Sequence, residues 1–91
     1  MAFVKFTRHL VRFFPEIEDS VKVDGRNVAE IVAALNGRYP GLADYIVDER
    51  GTLRKHVNIF VDGTMIADRH TLSDPVGEAS QIHIFQALSG G

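Results

Sequence analysis

Only one stretch of the chain has a helical period long enough to bury a face, and it lies between two groups of strand-like segments. Val28, Ile31, Val32 and Leu35 fall at i, i+3, i+4 and i+7, a single apolar stripe. Asn27 with Glu30 three residues on has the spacing of a capping box, in which the Asn side chain accepts from the N3 amide and the Glu side chain reaches back. Gly37 fits a C-terminal cap and Pro40 stops a helix, so the spacing predicts an end between Asn36 and Tyr39. One such stripe can cover one face of one sheet. The 91 residues leave no room for a second core.

The flanking segments read as strands. Ala2 to Thr7 alternates, with Val4 and Phe6 on one side and Lys5 and Thr7 on the other. His9 to Asp19 reads as an irregular connection held down by Phe13 and Phe14, and Val21-Lys22-Val23 as a short strand that forms a hairpin with the first. After the helix, Leu42, Tyr45 and Ile46 suggest an extra turn, and Asp48 to Lys55 a polar loop. Val57, Ile59 and Val61 then face one way, and His56, Asn58 and Phe60 the other. Asp62-Gly63 is a hairpin signal, because both residues tolerate the positive φ of a type I′ turn, and Met65-Ile66 begins the return. Asp68 to Ser80 is polar and rich in turn residues. Gln81 to Gln86 is the last strand, with Ile82 and Ile84 inward and His83 and Phe85 outward. The fold class expected is α+β: a mixed sheet packed on one main helix. The last strand can lie beside the first, in parallel, at the centre of the sheet, which is the β-grasp, or ubiquitin-like, arrangement.

Composition narrows the function. The chain has no cysteine, which removes disulfide scaffolds, thiolate metal sites and cysteine nucleophiles. A net charge of −2 gives no global reason to bind nucleic acid or an anionic membrane, so neither is expected as a partner. The N-terminal apolar residues are interrupted by Lys5 too early for a signal-peptide core, and no apolar run approaches the roughly 20 residues of a membrane span. A cytoplasmic protein is the expectation.

Residues 1–86 are expected to form the domain and residues 87–91 a flexible tail, Ala87-Leu88-Ser89-Gly90-Gly91. Together with Val28–Leu35, the run from Arg54 to Gly63, Gly77-Glu78 and Ile82–Gly91, this ending resembles the small ubiquitin-like sulfur carriers. That family includes the small subunit of molybdopterin synthase and the thiamine-biosynthesis sulfur carrier. The resemblance covers nearly the whole chain, supports the β-grasp strand order, and is most specific at Gly90-Gly91.

The resemblance implies that Gly91 is the reacting residue. A ubiquitin-activating-type enzyme would adenylate its carboxylate with ATP, a sulfur donor would convert the adenylate to a thiocarboxylate, and the carrier would deliver that sulfur to an accepting synthase. The chain itself would be a carrier or the small subunit of a synthase, not an independent enzyme, and would bind no cofactor of its own. Five extended residues reach at most about 17 Å, enough to enter a partner's active site, and glycine lets a narrow tunnel close around the backbone. Family members often carry Pro-Pro where this chain has Gln86-Ala87, so the φ restriction of proline is missing here. This departure bears most on an assignment to molybdopterin synthase in particular.

Phe85, Phe60, Met65 and Leu88 are the candidate partner-binding residues: two outward aromatics, a hairpin methionine and one apolar residue of the tail. His9, His56, His70 and His83 have no metal-ligand spacing, so no metal site is expected. Lys5, Arg8, His9 and Arg12 with Arg50, Arg54 and Lys55 suggest a local basic area that could steer a partner. Two alternatives stay open: a protein modifier joined through Gly91 to lysines of other proteins, and a β-grasp interaction domain with an inert tail.

Overall fold

The computed structural model describes residues 1–86, the side chain of His9 apart. The stripe residues form helix α2 (Val28–Arg38), flanked by β1 (Ala2–Phe6), α1 (Arg8–Val11) and β2 (Val21–Val23) on one side. On the other side come α3 (Ala43–Ile46), β3 (Val57–Val61), β4 (Thr64–Met65) and β5 (Gln81–Gln86). The five strands make one sheet in the order β2-β1-β5-β3-β4. β1 is antiparallel to β2, with Ala2 opposite Val23, and parallel to β5, with Val4 opposite Ile82. β3 is antiparallel to β5, with Ile59 opposite Ile84. The first and last strands thus lie side by side within the sheet, the β-grasp arrangement.

This register brings Val4, Val21, Ile82, Ile84, Val57 and Ile59 onto one face, all buried in one cluster with Val28, Ile31, Val32 and Leu35 of α2. Burying each such side chain contributes about 1.5–3 kcal/mol, so the matched stripe and strand alternation are the main source of stability. Gly25 turns the chain from β2 into α2 at a close approach: a Cβ there would meet Ile31 Cδ1 at 2.8 Å. At the Asp62-Gly63 hairpin both residues take positive φ, 50° and 85°, as a type I′ turn requires. Among the described residues no helix is long and apolar enough to cross a membrane.

Three local expectations need correction. Gly37 lies inside α2, which ends at Arg38 because Pro40 excludes helical backbone at Tyr39; the left-handed glycine is Gly41, φ 96°. The connection after β1 is not irregular throughout, since α1 forms one turn that buries Leu10. A single turn shows no period in a sequence. Of the two phenylalanines after it, only Phe14 is half-buried, edge-on to Tyr45 at 5.4 Å, whereas Phe13 is exposed and stacks on the same ring at 5.1 Å.

The N-terminus of α2 is completed from a distance. Val28 N–H donates to the Asp74 carbonyl (3.0 Å), Ala29 N–H to the Leu72 carbonyl (2.9 Å) and Glu30 N–H to Asn27 Oδ1 (2.9 Å), so three of the four orphan donors of the first turn are paired. Glu30 itself accepts from Arg26 N–H at 2.9 Å, one residue earlier than a capping box requires. The loop supplying those carbonyls is tied by two aspartates. Asp74 accepts from Ala67 N–H and Asp68 N–H, while Asp68 accepts from His70, Thr71 and Ser73 N–H and from the Thr71 and Ser73 hydroxyls. Leu72 is held between them at φ 56° with its side chain buried.

The Ser73 and then the Thr71 hydroxyl bonds hold the Asp68 carboxyl well below its usual 3.8. A depressed folded-state pKa contributes stability that is present above about pH 4 and is lost as pH falls below it toward the folded value. Asp68→Asn should therefore lower Tm by a few degrees at pH 7, and the gap to the native chain should shrink as thermal melts are repeated down to pH 2. A gap of constant size across that range contradicts a role for the ionised carboxylate.

Candidate functional site

Because α2 covers one face of the sheet, the alternate residues of the central strands stand on the other. On β5 these are Gln81, His83 and Phe85; on β3, Asn58 and Phe60; on β1, Phe3 and Lys5. Register decides which of them meet. Asn58 lies opposite Phe85, His83 lies between Lys5 and Phe60, and Phe60 faces Met65 across the hairpin.

The Phe60 and Phe85 rings meet edge-on with centroids 5.4 Å apart, and the His83 ring stacks on Phe85 at 6.0 Å. Asn58, Phe60, Gly63, His83 and Phe85 line a shallow hollow of about 480 Å³. Phe85 is 44% exposed and Met65 49%, while Phe60 is half-buried under its neighbours. Three of the four residues expected to bind a partner are thus brought onto one surface. His83 and Asn58 belong to it too; strand alternation showed which way they face, but only the pairing of β3 with β5 shows that they touch the aromatics.

Gln86 ends β5 at one side of this surface. Its N–H donates to Thr7 Oγ1 at 3.3 Å, and its Nε2 lies 3.3 Å from His56 Nε2. Gln86 Oε1 is buried, with no hydrogen-bond partner among the described residues. Asp44, Tyr45, Arg54 and His56 line a hollow together with Gln86, and Arg54 Nε donates to the Asp44 carbonyl at 2.8 Å. Leu88, Gly90 and Gly91, with the rest of the expected tail, lie outside the described residues.

Of the basic residues, Lys5 stands on the open sheet face, Arg8 and Arg12 share a hollow with Glu18 and Asp19, Arg50 lines a groove beside Ala29 and Ala33 on the helix side, and Arg54 lines a hollow with His56 and Gln86. Among the described residues no group of three or more histidine or carboxylate side chains comes together as candidate metal ligands. Asp48 and Asp68, whose carboxyls are held below the usual range, are both turn anchors: Asp48 accepts from Arg50 and Thr52 N–H within its own loop. The arrangement is an exposed, largely apolar surface on the open face of the sheet, beside the end of β5.

A family model described as the ThiS family matches residues 4–91. The chain belongs to the ThiS family. Solved structures share its fold over nearly its full length. A chain of the Amycolatopsis orientalis BexX/CysO complex is similar at TM-score 0.85 and 23% identity, covering 100% of both chains. Mycobacterium tuberculosis CysO, described as an antigen, is similar at 0.84 and 20%, covering 97% of this chain and 100% of that one. SAMP1 from Haloferax volcanii is similar at 0.77 and 25%, covering 99% and 98%. No curated protein matches the sequence. The ThiS-family chain accordingly has the β-grasp fold of the ubiquitin-like sulfur carriers, and its open sheet face carries the aromatic surface just described.

The two faces of β5 should respond differently to truncation. Ile84→Ala, at the centre of the core, should cost about 2–5 kcal/mol in urea denaturation, whereas Phe85→Ala should cost about 1 kcal/mol or less. Equal losses would show that Phe85 supports the fold as a core residue does.

Proposed function

We propose that this chain carries sulfur on Gly91. In this reading a ubiquitin-activating-type enzyme docks on the surface of Phe60, Met65 and Phe85, with Leu88 and Gly90 guiding the end of the chain into its active site. A Gly91 carboxylate oxygen attacks the α-phosphorus of ATP, expelling pyrophosphate and leaving an acyl-adenylate. A hydrosulfide-level sulfur donor then attacks the acyl carbon and AMP departs, so one carboxylate oxygen is exchanged for sulfur. The thiocarboxylate is presented to an accepting synthase. Activation is necessary because a carboxylate, ionised at neutral pH, is a poor electrophile.

The observation that carries this reading is the ThiS-family match, which runs through Gly91. The aromatic surface adds support, since buried aromatic anchors often contribute 2 kcal/mol or more to an interface. ATP is a substrate of the activating enzyme here, not a ligand of this chain. A second reading, conjugation of Gly91 to lysines of other proteins, draws on the likeness to SAMP1, named elsewhere as small archaeal modifier protein 1. It uses the same adenylate with an amine in place of the sulfur nucleophile.

Intact-protein mass spectrometry separates these. Incubated with ATP, an adenylating enzyme that accepts it and sulfide, the native chain should gain the mass difference of sulfur for oxygen. A chain extended by one alanine after Gly91 should not, because a reacting atom displaced by about 1 Å can already cost on the order of 100-fold. Equal sulfur gain by both chains contradicts a role for Gly91. Larger adducts with other proteins, with no sulfur gain, favour the modifier.

A further inference from the structure

Gln86 is held by two side chains far from it in sequence, and the way Thr7 is used explains how. Thr7 occupies the N-cap position of α1 with extended backbone (φ −71°, ψ 155°), and its carbonyl accepts from Leu10 N–H at 3.2 Å and Val11 N–H at 3.3 Å. A threonine at this position ordinarily turns its hydroxyl onto the helix N–H groups, but this one makes no such bond. Its N–H continues the parallel ladder to the Ile84 carbonyl at 3.2 Å. The next rung of a parallel ladder would bring Gln86 N–H to the Thr7 carbonyl, which is turned into α1. The Thr7 hydroxyl stands in for it and accepts Gln86 N–H instead.

The side chain of Gln86 is held from the opposite neighbour. Its amide nitrogen can only donate, so in this orientation His56 Nε2 is unprotonated and accepts; with the amide turned over, Oε1 would meet a protonated Nε2. In both orientations one end of the amide reaches His56. The main chain of Gln86 is thereby fastened beyond the end of β1, and its side chain to the residue preceding β3.

We propose that Thr7 and His56 make Gln86 the fixed root from which the chain continues, so that Gln86 is a positioning residue for the reaction at Gly91. This rests on the carrier reading or its modifier alternative. A terminal carboxylate on a tether is delivered at an effective concentration set by the length and freedom of that tether. A root fastened at Gln86 sets the length of chain between the domain and Gly91 at five residues, whereas a frayed β5 would lengthen it. Hydrogen bonds to Gln86 thus supply a restriction that a proline at this position would supply through its ring.

Two conservative pairs test this: Thr7→Val against Thr7→Ser, and Gln86→Leu against Gln86→Glu. On the chain alone, hydrogen exchange of the Gln86 amide should speed up about tenfold in Thr7→Val, the loss of roughly one hydrogen bond, and stay near native in Thr7→Ser. The Leu10 and Val11 amides report whether α1 is intact and should not change. In ATP–pyrophosphate exchange with an adenylating enzyme that accepts the native chain, Thr7→Val and Gln86→Leu should lower kcat on the order of tenfold at nearly constant KM, because the docking surface is untouched. Thr7→Ser and Gln86→Glu should recover most of it. Unchanged Gln86 exchange in Thr7→Val, or Thr7→Ser as damaging as Thr7→Val, overturns the proposal. If no adenylating enzyme accepts the native chain, the functional reading falls, while the exchange measurement still upholds or overturns the fixed root.

Discussion

A five-stranded sheet with one long helix can bury only one of its faces. In this chain the stripe of Val28, Ile31, Val32 and Leu35 takes the face presented by Val4, Ile82, Ile84, Val57 and Ile59, and the other features follow from that pairing. β5 lies between β1 and β3 at the centre of the sheet, so its inward residues sit in the middle of the core. Its outward residues, His83 and Phe85, sit in the middle of the open face. The strand that anchors the fold is therefore the strand that centres the exposed aromatic surface, and the chain continues from its end.

The small elements serve that same pairing. The loop from Ala67 to Val76 buries Leu72 and Val76 and closes the first turn of α2 with two carbonyls, which ties the helix N-terminus to that loop. Asp62 does the equivalent for β5: its carboxylate accepts from Ser80 Oγ at 3.0 Å and Gln81 N–H at 2.8 Å, tying the hairpin turn to the start of that strand. At the other end of β5, Thr7 and His56 hold Gln86. The last strand is fastened at both ends by side chains, which holds its register between β1 and β3.

Much of this was legible from local pattern. The i, i+3, i+4, i+7 spacing marked α2, alternation divided Ile82 and Ile84 from His83 and Phe85, and Asp62-Gly63 marked the tight hairpin. Local pattern failed where the deciding partner is remote. The Thr7 hydroxyl is diverted from α1 by a residue 79 positions away, and His56 meets Gln86 across 30. Nothing near Val28 or Ala29 indicates that Asp74 and Leu72 will satisfy their amides. Gly37 misled because a glycine near a helix end looks like a cap, whereas the proline at position 40 set the end instead. The aromatic surface was half legible: Phe60, Met65 and Phe85 were visible as outward apolar residues, but their meeting, and the inclusion of His83, required the β3–β5 register.

In the proposed function, the face that α2 leaves uncovered is the face that a partner covers. Carbene footprinting tests it most directly, by comparing side-chain labelling of the chain alone and in complex with an adenylating enzyme. Labelling should fall at Phe60, Met65, His83 and Phe85 while Ala29, Ala33 and Arg50 on the helix side stay as accessible as before. Protection on the helix side, with the aromatic surface still fully labelled, would contradict it.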